Sequence, residues 1–451
     1  MPTDHLIVLS VPGLRPGDVD KNATPTLYEW ASRGAIAEVV PTFPCVTSPV
    51  QASMFTGSPP GEHGIISNGF FWRDRCEVEF WVGTNEIVAG EHVWDALKRS
   101  RPGMTAAVWH AQNIKHAGAD YIVTPAPIHE PDGTTKLWCY SKPDGLYESM
   151  LGDLGHFPLQ HYWGPMANIE STKWVLKAAS WLIDREAPNL HWIYIPHLDY
   201  ASQKHGPDSE QARAALVELD AELASFAARV GDSAIGKDAT YLVVGEYAMT
   251  PVSGVVYPNR LLREAGLLKV REKNGTELID MASSPAVAVV DHQFAHIYVK
   301  DGDPEVMHRC EDIFDAAQGV AGALAGDARF GVGMNHERSG DVVLISDDDH
   351  WFAYYWWLSD DNAPAFARTV DIHRKPGYDP VELFFDPATK SIPLDASLVK
   401  GSHGVPATGP QHRTVLICSD ASGVVQVGQV HRDRDVKKVV LQTMGAGAAN
   451  P

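Results

Sequence analysis

Residues 209–249, SEQARAALVELDAELASFAARVGDSAIGKDATYLVVGEYAM, carry the contrast that decides the fold. Residues 209–231 repeat apolar side chains at helical spacing, and the run TYLVV that follows is short and made of β-branched, aromatic and aliphatic residues. A helix feeding a strand that is apolar on both sides is the unit of a parallel sheet. The alternation recurs: HLIVLS precedes TPTLYEWASRG, MTAAVWH follows HVWDALKRS, and LHWIYIP follows STKWVLKAASWLIDREAP. The chain therefore reads as an α/β protein with a mostly parallel central sheet and helices on both faces. In such sheets ligands collect beyond the carboxyl ends of the strands, and GEYAM, residues 245–249, stands at such an end.

From about Val255 to Pro393 the pattern changes to the strand-like runs AVAVV, HIYV and DVVLI, one helix near Glu305 to Ala325, and the aromatic segment WFAYYWW. We expect a single domain over 1–451 with an inserted α+β subdomain or cap over about 255–393, its aromatics filling the subdomain core. VVDHQFAHIYV, with His292 and His296, reads as one strand with alternating faces. Asp347, Asp348 and Asp349 read as a solvated turn. Arg374 and Lys375 read first as an ordinary charged turn and second as contacts for an anion.

With 451 residues, 44 % of them hydrophobic, the chain can bury a large core. No apolar run approaches the ~20 residues of a membrane span, and LIVLSV, from Leu6, lacks the basic flank of a signal peptide. The chain is expected to start at or near Met1 and to be cytoplasmic. Five cysteines, odd in number and without a CxxC pair, are expected as buried, reduced thiols. A formal charge of −20 disfavours nucleic acid and anionic membranes as partners and favours a small molecule held by a local arrangement. No pattern fixes an oligomeric state.

Four places put polar residues at a strand end or in a tight loop. Pro12-Gly13 closes the first strand as a plain turn. Ser48-Pro49-Val50-Gln51 has the form of a helix start, with a hydroxyl cap and Pro at the first helical position, which sets Thr47 at a helix N-terminus. That position suits a hydroxyl attacking a phosphate, and it equally suits a simple cap. IPHLDYASQKHGPDS, residues 195–209, gathers His197, Asp199, Gln203 and His205 without matching a zinc signature. KGSHGVP sets His403 between glycines, where backbone approaches a ligand closely or a histidine is merely exposed.

In order, these segments resemble the alkaline phosphatase superfamily and, within it, the nucleotide pyrophosphatase/phosphodiesterase branch. FPCVTSPVQASMFTGSPPGEHGIISNGF, residues 43–70, is similar to that family's nucleophile helix and following loop, and TPTLYEWASRGA, LDYASQKHGPDS, GEYAMTPV and GSHG support the match. The resemblance implies an alkaline-phosphatase-like core, Thr47 as nucleophile and Asn68 as a phosphate contact. It also implies two zinc ions, held by three Asp and three His, that bind the phosphoryl group and acidify the hydroxyl.

At the six implied ligand positions this chain carries Pro12, Asp199, Gln203, Glu246, Tyr247 and His403. Proline has no side-chain donor, an amide binds zinc poorly, and a phenol must first lose a proton of pKa ~10. A two-zinc site is therefore not expected. Asp199, His403 and Glu246 are left for one weakly held divalent ion, zinc or manganese, or for none, with Gln203 as a substrate contact. The expected function is a phosphodiesterase/pyrophosphatase-type hydrolase of a small phosphorylated metabolite, using Thr47, Asn68, Glu246 and Tyr247. The alternatives are metal-independent acid/base chemistry on the same fold, or a pseudoenzyme that binds without turnover.

Overall fold

Every residue of Leu6–Val11, Ala106–Trp109, Leu190–Tyr194, Thr240–Gly245 and Thr414–Cys418 is buried. Strands with no exposed side need cover on both faces of their sheet. The computed structural model, which describes residues 2–129, 135–370, 372 and 374–446, places them in one nine-stranded sheet. Its order is Val430–Arg432, Ala35–Val40, Thr414–Cys418, Thr240–Gly245, Leu6–Val11, Leu190–Tyr194, Ala106–Trp109, Tyr121–Pro125, Cys139–Lys142. Thr414–Cys418 and Cys139–Lys142 run against their neighbours, and the other pairs are parallel. The mostly parallel α/β core is thus as expected.

Two helical groups cover the sheet. Pro25–Arg33 and Ile169–Glu186 pack on Glu210–Gly231, while Thr47–Thr56 and Val93–Ser100 pack on Val436–Thr443. Glu210–Gly231 begins where the Ser209 side chain accepts from the Ala212 amide, and it buries Ala212, Ala215, Leu219, Leu223, Phe226 and Val230 at helical spacing. Its buried Asp220 accepts from the Thr26 and Leu27 amides, so one helix caps the start of another. No helix among the described residues is long and apolar enough to cross a membrane.

A second, antiparallel sheet has the order Ala286–Asp291, Phe294–Val299, Val342–Ser346, Val320–Ala325. Trp351 to Trp357 are all buried in a separate apolar cluster beside it, so these aromatics fill a core as expected. Two local readings change. VVDHQFAHIYV is a hairpin, not one strand: Asp291 pairs with Phe294, and His292 turns the chain with φ +61°. Contacts from elsewhere hold that turn, since the Gln293 amide donates to His403 O and its side chain donates to Asp348 O and His350 O. The helix expected near 305–325 ends at Asp315, and Val320–Ala325 instead pairs with Val342–Ser346 after a turn at Gly319.

Candidate active site

Thr47 is the first residue of the helix Thr47–Thr56. The sequence pointed to a start at Ser48 with its own hydroxyl as cap; instead Asn68 Oδ1 accepts from the Ser48 amide at 2.9 Å. A tertiary acceptor replaces the local one and the helix starts earlier, with Thr47 at the positive end of its dipole. Asn68 Nδ2 donates to Asp291 Oδ1 at 3.2 Å, and Asn68 is buried behind the cavity wall.

Tyr247 is the hub of the site. It follows the strand Thr240–Gly245, where only glycine fits: a Cβ on Gly245 would stand 2.7 Å from both Leu14 O and Thr414 Cβ. The Gly13 amide donates to Tyr247 O, which ties this strand end to the turn after the first strand. The Tyr247 hydroxyl donates to Asp199 Oδ2 at 2.9 Å and lies 3.1 Å from Thr47 Oγ1. With its single hydrogen spent on Asp199, its oxygen accepts from Thr47.

Asp199 reaches Tyr247 from the helix His197–His205, on which Gln203 stands one turn further along the same face. Both line the cavity. Gln203 Oε1 accepts from the Tyr378 hydroxyl at 2.9 Å. His197 is turned away toward Glu218, and neither His197 nor His205 lines the cavity.

His403 is buried rather than exposed, because its loop is stitched on two sides. Gly404, at φ +128°, accepts through its carbonyl from the Cys45 amide, and His403 O accepts from Gln293 N. The ring stacks on Tyr247 with centroids 3.7 Å apart and planes 5° apart, and Nδ1 donates to Cys45 O at 2.7 Å. Burial, then the neighbouring His292, hold its pKa well below the usual imidazole range, so it is neutral.

Glu246 points the other way. It is fully buried and does not line the cavity; Oε1 accepts from Ser10 and from Gln51 Nε2, and Gln51 Oε1 accepts from the Gln112 amide. Burial pushes its carboxyl up to about 8, against the pull of Ser10 and Gln51. Burial likewise pushes Asp199 up to about 7, against its bond from Tyr247. Burial, then the charges of Asp199 and Glu246, raise Tyr247 well above the phenol range.

These groups face a cavity of about 990 Å³ beyond the carboxyl ends of the parallel strands, where such folds bind ligands. Thr47, Asp199, Gln203, Tyr247 and His403 meet there, and Trp81, Tyr162, Trp163, Tyr200 and Tyr378 supply its aromatic wall. Arg374 also lines it. Lys375 does not offer its charge, because Nζ is buried between Asp379 Oδ2 at 2.8 Å and Glu382 Oε1 at 2.6 Å.

A two-metal centre does not fit these side chains. Pro12 has no donor, and Gln203 Oε1 and Asp199 Oδ2 are taken by the hydroxyls of Tyr378 and Tyr247. Glu246 faces Ser10 and Gln51, and the Nδ1 of His403 is spent on Cys45 O. Asp199 Oδ1 and Glu246 Oε2 are buried without partners, but Glu246 does not line the cavity that Asp199 and His403 line. Among the described residues no three His, Cys, Asp or Glu converge as ligands.

Three cavity residues escaped the sequence reading. His292 stacks between Tyr378 and His403, with centroids 3.8 Å and 3.9 Å away, and its Nδ1 donates to Asp291 Oδ1 at 2.6 Å. His110 is the first residue past the strand Ala106–Trp109, and burial holds it neutral, at about 3. Lys115 brings a cation whose burial lowers its pKa. For His110 the strand-end rule was the available signal; His292 was hidden by reading its hairpin as one strand.

The model of the type I phosphodiesterase / nucleotide pyrophosphatase family matches residues 6–379, and the chain belongs to that family. An uncharacterized pyrophosphatase/phosphodiesterase of Schizosaccharomyces pombe is 24 % identical over 266 residues, covering 57 % of this chain and 46 % of its own length. Ectonucleotide pyrophosphatase/phosphodiesterase 2 of Saccharomyces cerevisiae is 27 % identical over 232 residues, covering 49 % and 41 %. The match thus spans less than half the length of these relatives. Among solved structures, phosphonoacetate hydrolase of Sinorhizobium meliloti superposes with TM-score 0.64 at 18 % identity, covering 99 % of this chain and 96 % of that one. Murine ectonucleotide pyrophosphatase/phosphodiesterase 5 gives 0.63 at 14 %, with the same coverage. The fold is alkaline-phosphatase-like.

Proposed function

We propose that this protein hydrolyses a diester or pyrophosphate of a small phosphorylated metabolite, with Thr47 as nucleophile activated by Tyr247 and Asp199 in place of a two-zinc centre. The hydrogen-bonded series Thr47–Tyr247–Asp199 on the cavity wall carries the reading. A carboxylate that titrates at about 7 is matched to taking a proton at neutral pH. Tyr247 passes one proton to Asp199 as it receives another from Thr47, and so never becomes a phenolate.

The helix N-terminus at Thr47 favours a phosphate, while the cations Lys115 and Arg374 offset the local acidic charge. The aromatic wall holds the organic part, with Gln203 as a polar contact. Asn68 acts by fixing Ser48 beside the nucleophile. Glu246 orients Ser10 and Gln51 beneath the floor. The segment over about 255–393 is read as an inserted subdomain that gives His292 and Tyr378 to the cavity. Neighbouring structures solved with AMP, phosphonoformate or phosphonoacetate support a small phosphorus-containing ligand.

The test is turnover of bis-p-nitrophenyl phosphate by wild type and Thr47→Ala, with AMP binding followed by thermal shift. Thr47→Ala is expected to lose at least about 1,000-fold in kcat while still binding AMP. Full turnover by Thr47→Ala would remove the nucleophile. A wild type that binds AMP yet converts no diester would make the protein a binding protein instead.

A further inference from the structure

We infer that His292, oriented by Asp291, is the acid that protonates the departing oxygen in the hydrolysis proposed above. The inference rests on that reading. His292 lines the same cavity as Thr47 and Tyr247 and reaches it from a different sheet, at the turn between Ala286–Asp291 and Phe294–Val299.

Asp291 is fully buried, and four donors converge on its two oxygens. Ser67 Oγ and Asn68 N donate to Oδ2 at 2.9 Å each, while Asn68 Nδ2 at 3.2 Å and His292 Nδ1 at 2.6 Å donate to Oδ1. Both oxygens are thereby acceptors, and the hydrogen on Nδ1 is fixed. Nε2 is left as the ring atom that exchanges a proton with a substrate. A carboxylate behind an imidazole in this manner orients a general acid and matches the charge of its doubly protonated form.

The ring is held in place from every side. Tyr378 lies 3.8 Å away at 19° on one side and His403 at 3.9 Å on the other, and the Tyr378 hydroxyl is anchored on Gln203. His292 O accepts from the Phe352 amide while its φ stays at +61°, a conformation that costs a non-glycine residue and persists only where neighbours enforce it. Asp291 also anchors Asn68, whose Oδ1 fixes the amide next to Thr47. Acid and nucleophile therefore share one support.

The protons balance. Thr47 oxygen bonds to phosphorus as the bond from phosphorus to the leaving oxygen breaks. The Thr47 proton passes to Tyr247, the Tyr247 proton passes to Asp199, and the leaving oxygen takes the Nε2 proton of His292. Water then attacks the phosphothreonine and gives a proton to His292 Nε2, while Thr47 recovers its proton from Asp199 through Tyr247.

The experiment measures kcat/KM, which reports the steps up to departure of the first phenol, on bis-p-nitrophenyl, bis-p-chlorophenyl and diphenyl phosphate for wild type, His292→Phe and Thr47→Ala. Phenylalanine keeps the ring stack and removes the proton. Wild-type rates are expected to vary little with the acidity of the leaving phenol. His292→Phe is expected to lose about 100-fold or more on diphenyl phosphate and less than tenfold on the p-nitrophenyl ester, whose anion departs without help. An equal loss across the series would give His292 a packing role and overturn the inference, leaving the Thr47 hydrolase in place. A steep leaving-group dependence in wild type would overturn it without recourse to any variant. A wild type no faster than Thr47→Ala on every ester would overturn both.

Discussion

Glu246 and Tyr247 are adjacent in sequence and opposite in consequence. Tyr247 enters the cavity, whereas Glu246 turns beneath it and holds its proton up to about 8. Because the folded value lies above the unfolded one of 4.5, the folded state keeps a proton that the unfolded chain releases. The resulting penalty is absent below about pH 4.5 and grows as pH rises toward 8. Glu246→Gln carries no such penalty, so its stability relative to wild type is expected to rise from pH 5 to pH 8 by on the order of 3 kcal/mol in urea unfolding. A constant gap would contradict that burial. The same variant should keep kcat within about tenfold, since a direct base would cost 100-fold or more. In the proposed hydrolysis Asp199 is needed without its proton, so kcat/KM is expected to rise with pH toward about 7. The sequence showed that GEYAM ends a strand. It did not show which of two neighbours faces inward, because one backbone rotation past Gly245 decides that and nothing local encodes it.

At the scale of elements, three pieces of chain bring the chemistry together. The sequence left His197–His205 without an assigned element, since its polar residues mask helical period; its Asp199, Tyr200 and Gln203 line the cavity. The helix at Thr47 was legible from its Pro and hydroxyls, though its cap was not, because Asn68 supplies it from twenty residues away. The hairpin turn at His292 was illegible for a similar reason: its holding contacts come from His403, Asp348 and His350. The segment bearing Tyr378 is tied down by buried Lys375 between Asp379 and Glu382. Lys375→Met takes the buried cation away from Asp379 and Glu382. It is expected to destabilise the protein by about 3–5 kcal/mol in urea unfolding and to raise KM as Tyr378 loosens. Unchanged stability would show that the triad is better solvated than its burial implies.

Over the whole molecule, the −20 charge would repel the proposed anionic substrate at long range, while the cations of the cavity are local. Long-range repulsion is screened by salt more readily than close contacts are, so kcat/KM for a diester anion is expected to rise several-fold between 10 and 150 mM salt. A fall would mean that the cavity cations dominate even at a distance. The parallel core and its ligand-bearing edge were legible from alternating helix and strand patterns, because two-sided burial leaves a strong mark on sequence. That Tyr247 and Gln203 stand where the resembled family carries metal ligands was legible too, but the hydrogen-bonded Thr47–Tyr247–Asp199 series was not, since it joins residues 200 and 48 positions apart. The most direct measurement is hydrolysis of bis-p-nitrophenyl phosphate by chelator-treated wild type and Tyr247→Phe. Turnover that survives chelation in wild type and falls about 100-fold in Tyr247→Phe is the predicted result. Turnover lost on chelation and restored by zinc, or a Tyr247→Phe variant as fast as wild type, would contradict it.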